Sequence, residues 1–348
     1  MAAHPVLDLD TTLASLPPPV TQDIRAQVQA QLRAPSSQIP LLVALDDDPT
    51  GTQTCHNVNV LTVWDVPTLT AEFSLTPRGS GFFVLTNSRA LHPAPARALL
   101  VEICTNLQAA SSATGLPFEV VLRGDSTLRG HFPLEAEAAT AALGPFDAWL
   151  LCPFFLQGGR YTLDNVHYVA EGARLVPAAQ TPFAADATFG YASSDLRDYV
   201  AEKTAGAVPA AALPRSGHKE TPGLLSTAGP AVSGRTPARH VAALVVGADG
   251  AASLDMGAVV ASALVDVLRG LATRPRYVVA KGGITSSDMA GRGLGMRRAR
   301  VVGQAAAGVP LWRCVEGGGK WPGVPFVVFP GNVGGDAALA EVVRGWRA

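Results

Sequence analysis

Residues 39–52 read IPLLVALDDDPTGT, an apolar run followed at once by three aspartates and a turn that contains proline and glycine. The run shows no alternation of apolar and polar residues, which is typical of a strand buried on both faces of a parallel sheet. Pro49 and Gly51 favour a bend directly after the strand. This stretch therefore predicts an α/β fold with polar chemistry at the point where the strand ends.

Runs of the same kind recur on both sides of this stretch, and helical patterns separate them. Alternation of strands and helices indicates βαβ units, so we expect an α/β fold of two lobes, each a mostly parallel sheet flanked by helices. The predicted strands are Ile39–Leu45, Phe82–Thr86, Phe118–Leu122, Ala148–Cys152, Val241–Val246, Tyr277–Ala280 and Pro325–Phe329. The predicted helices are Pro95–Ala109, Phe132–Leu143, Leu254–Leu271 and a last one capped by Asp336.

The chain length of 348 residues also fits two domains of roughly 100–200 residues each. Residues 1–38 precede the first strand and are predicted to be an N-terminal extension. We expect one α/β domain over residues 39–204 and a second over residues 240–348. The stretch between them, residues 205–239, is rich in Pro, Gly, Ser and Thr and predicts a linker or irregular connection.

Composition excludes several classes of protein. The 27 basic and 28 acidic side chains give a net charge of −1, which argues against nucleic acid or an acidic membrane surface as partner. The cysteines lie far apart without a CxxC pair, so neither a zinc site nor a disulfide scaffold is expected, and a reducing cytosol fits. No signal peptide pattern and no long uncharged apolar stretch is evident. We expect a soluble, cytoplasmic protein.

Two charged clusters follow predicted strands. Asp46, Asp47 and Asp48 would repel one another unless a metal or cationic partner offsets the charge, although an acidic turn is the simpler alternative. The stretch RGDSTLRG (123–130) carries two arginines that can fork onto a carboxylate or phosphate. Its Asp125 could accept a hydroxyl proton, but the same residues could also begin a helix with a surface Arg–Asp pair.

Three glycine turns also follow predicted strands. Gly158-Gly159-Arg160 permits close approach of the backbone to an anion, or makes only a tight turn. KGGITSSD (281–288) and PGNVGGD (330–336) each combine a strand, a glycine turn and a predicted helix, an arrangement that favours phosphate binding. Neither matches the GxxxxGK[ST] or GxGxxG fingerprint. No histidine spacing indicates a metal site, so none is predicted.

One alternative reaction class uses the acidic turn differently. Asp46 and Asp48 fit the D-x-D-x-T nucleophile motif of haloacid-dehalogenase-like phosphatases, and Thr86-Asn87 resembles their second motif. That mechanism also needs a later acidic pair at a strand end to hold Mg²⁺, and no such pair follows the later strands. The phosphatase remains an alternative.

Taken together, the motifs resemble those of the four-carbon acid sugar kinase family, formerly a domain of unknown function, which includes 3-oxo-tetronate, D-threonate and D-erythronate kinases. The resemblance covers about residues 40–200 and 240–346. Its motifs are DDDPTGTQT (46–54), RGDSTLRGHFPLE (123–135), PFFLQGGRYT (153–162), KGGITSSD (281–288), GQAAAGVPLW (303–312) and FPGNVGGDAAL (329–339). It implies an N-terminal lobe that binds a tetronate-type acid and a C-terminal lobe that binds ATP with Mg²⁺. The implied reaction transfers the γ-phosphoryl group to the terminal hydroxyl of the acid.

The resemblance also implies roles for residues. The sugar acid would be held by Asp46, Asp47, Arg123, Asp125, Ser126, Arg129 and Arg160, with Asp125 and then Asp47 as the candidate catalytic base. The nucleotide would be held by Lys281, Gly282, Gly283, Thr285, Ser286, Gly331, Asn332, Gly334 and Gly335.

This chain departs from the family pattern at the start of the second lobe. Relatives are longer there, whereas Val246-Gly247 runs at once into Asp249-Gly250 and the next helix. Part of the ATP lobe is therefore expected to be missing, so a shortened relative that binds ligand without turnover is an alternative to the active kinase. The motifs do not distinguish between these acids, or between a monomer and a homo-oligomer.

Overall fold

The computed structural model describes residues 4–16, 24–33, 39–146, 148–213, 250–315, 319–331, 333–334 and 337–345. In chain order the described strands are β1 (Leu7–Asp8), β2 (Leu41–Asp46), β3 (Val58–Leu61), β4 (Gly81–Leu85), β5 (Phe118–Arg123), β6 (Arg160–Leu163), β7 (Val166–Glu171), β8 (Arg174–Pro177), β9 (Val278–Lys281), β10 (Arg298–Ala306), β11 (Val309–Cys314) and β12 (Pro325–Phe329). The described α-helices are α1 (Leu9–Ala14), α2 (Ile24–Arg33), α3 (Val66–Leu75), α4 (Pro93–Thr114), α5 (Leu134–Leu143), α6 (Leu196–Lys203), α7 (Gly250–Gly270), α8 (Gly283–Asp288) and α9 (Ala338–Gly345).

The larger sheet has eight strands in the order β5-β2-β4-β3-β10-β11-β12-β9. Its first four strands are parallel to one another, and β9 is parallel to β12. Antiparallel pairs join β3 to β10, β10 to β11 and β11 to β12. Helices α3, α4 and α5 pack their apolar faces against the parallel part. The prediction of an α/β fold with a mostly parallel sheet flanked by helices is confirmed.

The chain forms two compact units whose bounds are not continuous in sequence. Unit 1 comprises Met1–Gln27, Asp125–Pro133 and Trp149–Val241, and unit 2 comprises Val28–Gly124, Leu134–Ala148 and Ala242–Ala348. These bounds differ from the predicted domains 39–204 and 240–348, because strands from both predicted domains share the larger sheet. The junction is the antiparallel pair of β3 and β10, in which Val58 lies opposite Val301. Pairing between strands so distant in sequence leaves no local signal.

The smaller sheet belongs to unit 1 and has the order β1-β8-β7-β6. All of its pairs are antiparallel, whereas the sequence analysis expected a mostly parallel sheet in each lobe. A two-residue turn explains the hairpin of β6 and β7. Its residues Asp164 and Asn165 both have positive φ, 47° and 72°, which suits the right-handed twist of two paired strands. Local hairpins of this kind need no crossover helix, so the sheet forms without βαβ units.

Most predicted elements are confirmed, with shifts of a few residues at their ends. The confirmed strands are β2, β4, β5, β9 and β12, and the confirmed helices are α4, α5, α7 and α9. Ala148–Cys152 is the exception, because it forms no strand and exposes 50% of Trp149 and 80% of Leu150. Its apolar composition resembles that of a strand, but a strand also requires a paired neighbour. The predicted strand Val241–Val246, the cap Asp336 and residues 214–239 of the predicted linker lie outside the described residues.

Helix α7 differs from the sequence expectation in one respect. Among the described residues, α7 is the one helix that is both long enough and apolar enough to cross a bilayer. This judgement uses length and composition only and is weak evidence. Its charged residues include Asp255, Asp266 and Arg269. Leu268 packs in a core cluster of unit 2 with Ala290 and Leu294. The predicted absence of a membrane partner and the cytoplasmic location stay predictions.

Candidate functional site

The carboxyl ends of three neighbouring parallel strands place charged residues at one edge of the larger sheet. Asp46 ends β2 and lies in register with Leu85 of β4 on one side and with Arg123 of β5 on the other. The acidic turn follows β2, a short turn with Arg89 follows β4, and Arg123 ends β5. Ligands of open α/β sheets bind beyond such strand ends, so this edge of unit 2 is the candidate site.

Asp47 and Arg89 form a two-point ion pair at this edge. Nη2 of Arg89 lies 2.8 Å from Oδ1 of Asp47, and Nε lies 3.1 Å from Oδ2. The Asp47 side chain is buried, and burial raises its pKa to about 6, against the lowering effect of Arg89. A carboxylate with this pKa is suited to accept a proton near neutral pH.

Arg89 is a site residue that the sequence analysis missed. It lies in the turn Ser88–Ala90, directly after the strand β4. The sequence analysis noted Thr86-Asn87 only as a resemblance to a phosphatase motif. A signal was present, because a cation that follows a buried parallel strand lies at the same sheet edge as the acidic turn.

Asp46 is fully buried, and neither of its carboxylate oxygens has a hydrogen-bond partner. Nη1 of Arg123 lies 3.8 Å from its Oδ1. Burial raises the pKa of Asp46 well above its usual range, so the protonated form is favoured. Gly51 fits closely over this carboxyl group, since a Cβ on Gly51 would lie 2.2 Å from it.

Asp48 connects the acidic turn to the glycine turn after β9. Its Oδ1 accepts a hydrogen bond of 2.9 Å from the backbone N–H of Thr50 and so caps the turn Pro49–Thr52. Its Oδ2 lies directly over Gly283, where an added Cβ would come within 1.7 Å of that oxygen. The structure thus brings together the motifs DDDPTGT and KGGIT, which are more than 200 residues apart, within unit 2.

Residues of strands β10 and β11 donate hydrogen bonds to the acidic turn. Nε1 of Trp312 donates a hydrogen bond of 2.9 Å to Oγ1 of Thr52, and both side chains are buried. The side-chain amide of Gln304 donates to the backbone oxygen of Gln53. These contacts give the motif GQAAAGVPLW a structural role beside the acidic turn.

The two glycine turns of the predicted nucleotide site lie side by side, because β9 and β12 are parallel and Lys281 is in register with Phe329. Nζ of Lys281 is 3.3 Å from the backbone oxygen of Pro330 and 3.4 Å from that of Gly331. Gly282 has a φ of 94°, which favours glycine, and its backbone N–H donates to Phe329.

The remaining residues of the predicted nucleotide set differ in their positions. Ser286 is buried, and its Oγ donates to the backbone oxygens of Ala280 and Gly282, so this hydroxyl stabilises the first turn of α8. Thr285 is half-buried on the same turn, and Gly334 has a φ of 83°. Asn332 and Gly335 lie outside the described residues.

Unit 1 contains the other part of the predicted substrate set. Nε of Arg129 donates to Asp125 over 2.7 Å, and the guanidinium groups of Arg129 and Arg160 lie 5.1 and 5.7 Å from the centre of the Phe183 ring. Nε of Arg160 is buried without a hydrogen-bond partner, and burial lowers the pKa of this guanidinium. The backbone oxygen of Ser126 lies 2.7 Å from Nε2 of His167. Two guanidinium groups over one ring provide positive charge of the kind that binds carboxylates and phosphates.

The predicted substrate residues are therefore divided between the units. Asp46, Asp47 and Arg123 lie in unit 2 with Lys281, Gly282 and Gly283, whereas Asp125, Ser126, Arg129 and Arg160 lie in unit 1. Within the part of the chain that the structure describes, no group of three or more His, Cys, Asp or Glu side chains could hold a metal ion. The donor set therefore does not fit a metal held by protein residues alone.

Two solved structures have a TM-score of at least 0.50 with this chain. A protein of Salmonella typhimurium LT2 described as a putative tRNA synthase is 15% identical, with a TM-score of 0.53 over 88% of this chain and 98% of that chain. A DUF1537 family protein of Haemophilus influenzae is 12% identical, with a TM-score of 0.50 over 88% of this chain and 100% of that chain. Identities at this level show the fold alone.

A third structure is less similar in shape. It is a domain of unknown function (DUF1537) from Bordetella bronchiseptica, a domain-swapped dimer with bound citrate, which is 20% identical over 88% of this chain and 98% of that chain with a TM-score of 0.36. No curated protein matches this chain.

The family comparison covers a larger part of the sequence. The model of the sugar-binding N-terminal domain matches residues 42–283, more than two thirds of the 348 residues. The match includes the acidic turn, Arg89, Arg123 and the residues Gly282 and Gly283. The chain therefore belongs to the family of the sugar-binding N-terminal domain.

Proposed function

We propose that the protein is an ATP-dependent kinase that transfers the γ-phosphoryl group to the terminal hydroxyl of a four-carbon sugar acid. One observation carries this proposal: in unit 2 the acidic turn after β2 packs against the glycine turn after β9, with Asp48 directly over Gly283. A proton acceptor and backbone N–H donors suited to phosphate thus occur at the ends of strands of the same sheet. Membership of a sugar-binding family supports the substrate class.

Phosphoryl transfer depends mainly on the positions of the reactants and on charge stabilisation. Bound ATP with Mg²⁺ supplies the phosphoryl group and part of the charge compensation. In the proposal, the turns that contain Gly283, Gly331 and Gly334 donate backbone N–H groups to the phosphates, Gly282 provides the turn with positive φ, and Lys281 adds a positive charge. Because the described residues form no metal cluster, Mg²⁺ would be bound through the phosphates.

Asp47 is the base that the geometry favours. Its carboxylate would accept the proton of the substrate hydroxyl while that oxygen bonds to the γ-phosphorus and the bond to ADP breaks. Asp125, the first choice from the sequence, is engaged by Arg129 and by the hydroxyl of Thr127. Asp47 is likewise paired with an arginine, Arg89, but burial raises its pKa to about 6, which suits a base near neutral pH. The assignment of the base to Asp47 rather than to Asp125 is part of the proposal.

The carboxylate of the acid would bind Arg123, the arginine of the predicted set that lies with Asp47 in unit 2. Substitution of Arg123, Arg129 and Arg160 by glutamine, one at a time, tests this assignment, because loss of a bidentate carboxylate partner raises KM for the acid. The control in each case is KM for ATP, which is expected to stay unchanged.

The deciding experiment measures ADP release with D-threonate, D-erythronate and 3-oxo-tetronate as acceptors, beside thermal melting shifts with ATP and with each acid. Turnover with one acid, lost in Asp47→Asn, supports the kinase. Melting shifts without turnover support a shortened relative that only binds ligand. No shift with millimolar ATP and no turnover would overturn the kinase proposal.

The phosphatase alternative is disfavoured by the same geometry. Its nucleophile would be Asp46, which is fully buried and favours the protonated form. Its acid would be Asp48, whose oxygens cap a turn and contact Gly283. Release of phosphate from a phosphorylated acid without ATP, abolished in Asp46→Asn, would restore this alternative.

A further inference from the structure

We propose that Arg89 is a positioning residue that orients the Asp47 carboxylate for proton transfer. This inference rests on the proposed kinase function, in which Asp47 accepts the hydroxyl proton. Nothing in the family comparison or in the similar structures assigns a role to Arg89.

The geometry of the pair is the first support. Two different nitrogens of Arg89 contact the two different oxygens of Asp47, at 2.8 and 3.1 Å. A planar guanidinium that binds both oxygens fixes the rotation of the carboxylate as well as its position. A lysine at the same place would provide charge without this planar, two-point contact.

The second support is the way in which the turn that carries Arg89 is held. Thr86, just before the turn, donates its backbone N–H and its hydroxyl to the backbone oxygen of Asp46, at 2.9 and 3.0 Å. The hydroxyl of Ser88 donates to Glu135, and Asn87 adopts a left-handed conformation with a φ of 51°. The start of the segment that carries Arg89 is thus hydrogen-bonded through Thr86 to Asp46, the residue that precedes Asp47.

The charged groups around Asp47 give Arg89 a further effect on proton affinity. Burial is the largest influence and raises the pKa of Asp47, and the carboxylates of Glu135 and Asp48 raise it further. Asp46, the chain neighbour of Asp47, is buried and favours the protonated form. Arg89 is the group that opposes these effects, through its charge and its hydrogen bonds. Without Arg89, Asp47 would hold its proton up to a higher pH and could not accept another one.

The test compares Arg89→Gln and Arg89→Lys with the native chain. Arg97→Gln serves as the matched control, because Arg97 pairs with Glu137 on the exposed surface of α4. We expect Arg89→Gln to lower kcat by about tenfold or more at pH 7 with little change in KM. The acid limb of the pH–rate profile should move upward by about 1 to 3 pH units, and activity should recover at alkaline pH. Arg89→Lys should recover part of the pH effect but less of kcat, and Arg97→Gln should match the native chain.

A second readout does not depend on turnover. Protein labelled with ¹³C at the aspartate carboxyl carbons is titrated by NMR, and Asp47→Asn identifies the Asp47 signal. In Arg89→Gln the Asp47 signal should titrate at a higher pH than in the native chain. If the native chain shows no kinase activity, the proposed function fails while this titration still tests the coupling of Arg89 to Asp47. An unchanged Asp47 titration, or a loss of activity with an unchanged pH profile, would overturn the positioning role of Arg89.

Discussion

At the scale of single residues, the candidate site is dominated by carboxylates that are removed from water. Burial raises the pKa values of Asp46, Asp47 and Glu135, and the guanidinium groups of Arg89 and Arg123 offset part of their charge at the strand ends. Buried carboxylates of this kind favour the protonated state. The folded protein therefore binds protons tightly at this site, and ionisation of the buried carboxylates lowers the free energy of unfolding at neutral pH.

This charge arrangement predicts a pH dependence of stability. The pKa of Asp47 is about 6 in the folded chain and near the ordinary 3.8 when unfolded, so the folded state binds the proton more tightly. The contribution of Asp47 to the stability of the folded chain is fully present below pH 3.8 and is lost as the pH rises through about 6. We expect the free energy of unfolding, measured by urea titration, to fall less steeply between pH 3.8 and about 6 in Asp47→Asn than in the native chain.

Asp266→Asn is the control for this prediction, because Asp266 is exposed on α7. It should leave the pH dependence of stability unchanged. Asp46 and Glu135 contribute in the same direction as Asp47, so the slope in Asp47→Asn should be reduced rather than abolished. A slope identical to that of the native chain would show that Asp47 is not a high-affinity proton site.

The contact between Asp48 and Gly283 predicts a steric coupling. Gly283→Ala would place a methyl group 1.7 Å from Oδ2 of Asp48, so one of the two must move. We expect this substitution to lower the free energy of unfolding by about 1–3 kcal/mol, as overpacking does. In the Asp48→Ala background the same substitution should be tolerated better, which urea unfolding of the four chains measures.

Gly331→Ala is the matched control, since a Cβ at Gly331 would meet no atom within 4 Å. Its effect should stay within about 0.5 kcal/mol. Strict additivity of Gly283→Ala and Asp48→Ala would contradict the proximity of the acidic turn and the glycine turn.

At the scale of secondary-structure elements, α7 shows how burial differs around one apolar helix. Leu268 is 3% exposed and packs in the core cluster, whereas Val267, one residue earlier, is 66% exposed. Leu268→Ala should lower the free energy of unfolding by about 2–5 kcal/mol. Val267→Ala should change it by no more than about 0.5 kcal/mol. Equal effects of the two substitutions in urea unfolding would mean that α7 packs with a different face.

At the scale of the whole molecule, the larger sheet joins the two halves of the chain. Beyond the ladder of β3 and β10, Nε of Arg298 in β10 lies 2.9 Å from the fully buried Oε2 of Glu72 in α3. Removal of one partner of such a pair is strongly destabilising, because it leaves the other charge buried and unpaired. The first half of the sequence therefore depends on the second half for part of its fold.

This dependence predicts the behaviour of a fragment. A chain that ends at residue 213 lacks β9 to β12 and leaves β3 without its neighbour β10. We expect it to bind a hydrophobic dye and to show no cooperative unfolding transition, measured by circular dichroism during urea titration. Co-expression with residues 214–348 should restore the transition. Cooperative unfolding of the fragment alone would instead support the predicted independent domain 39–204.

Local pattern was sufficient for the α/β class, for β2, β4, β5, β9 and β12, and for most of the long helices. Apolar runs and helical periodicity depend on neighbouring residues only, so a single sequence contains them. The motifs likewise indicated the acidic turn and the glycine turns, because polar residues after buried strands occur at the sheet edge. The family resemblance followed from those same motifs.

The pairing of distant segments could not be obtained in this way. The β3–β10 ladder, the discontinuous units, the contact of Asp48 with Gly283 and the ion pair of Asp47 with Arg89 join residues that are 40 to more than 200 positions apart. Likewise, the apolar stretch Ala148–Cys152 has the composition of a strand but no paired neighbour. Strand pairing, burial and pKa values depend on which surfaces meet in three dimensions, and that free energy belongs to the pair of surfaces rather than to either segment.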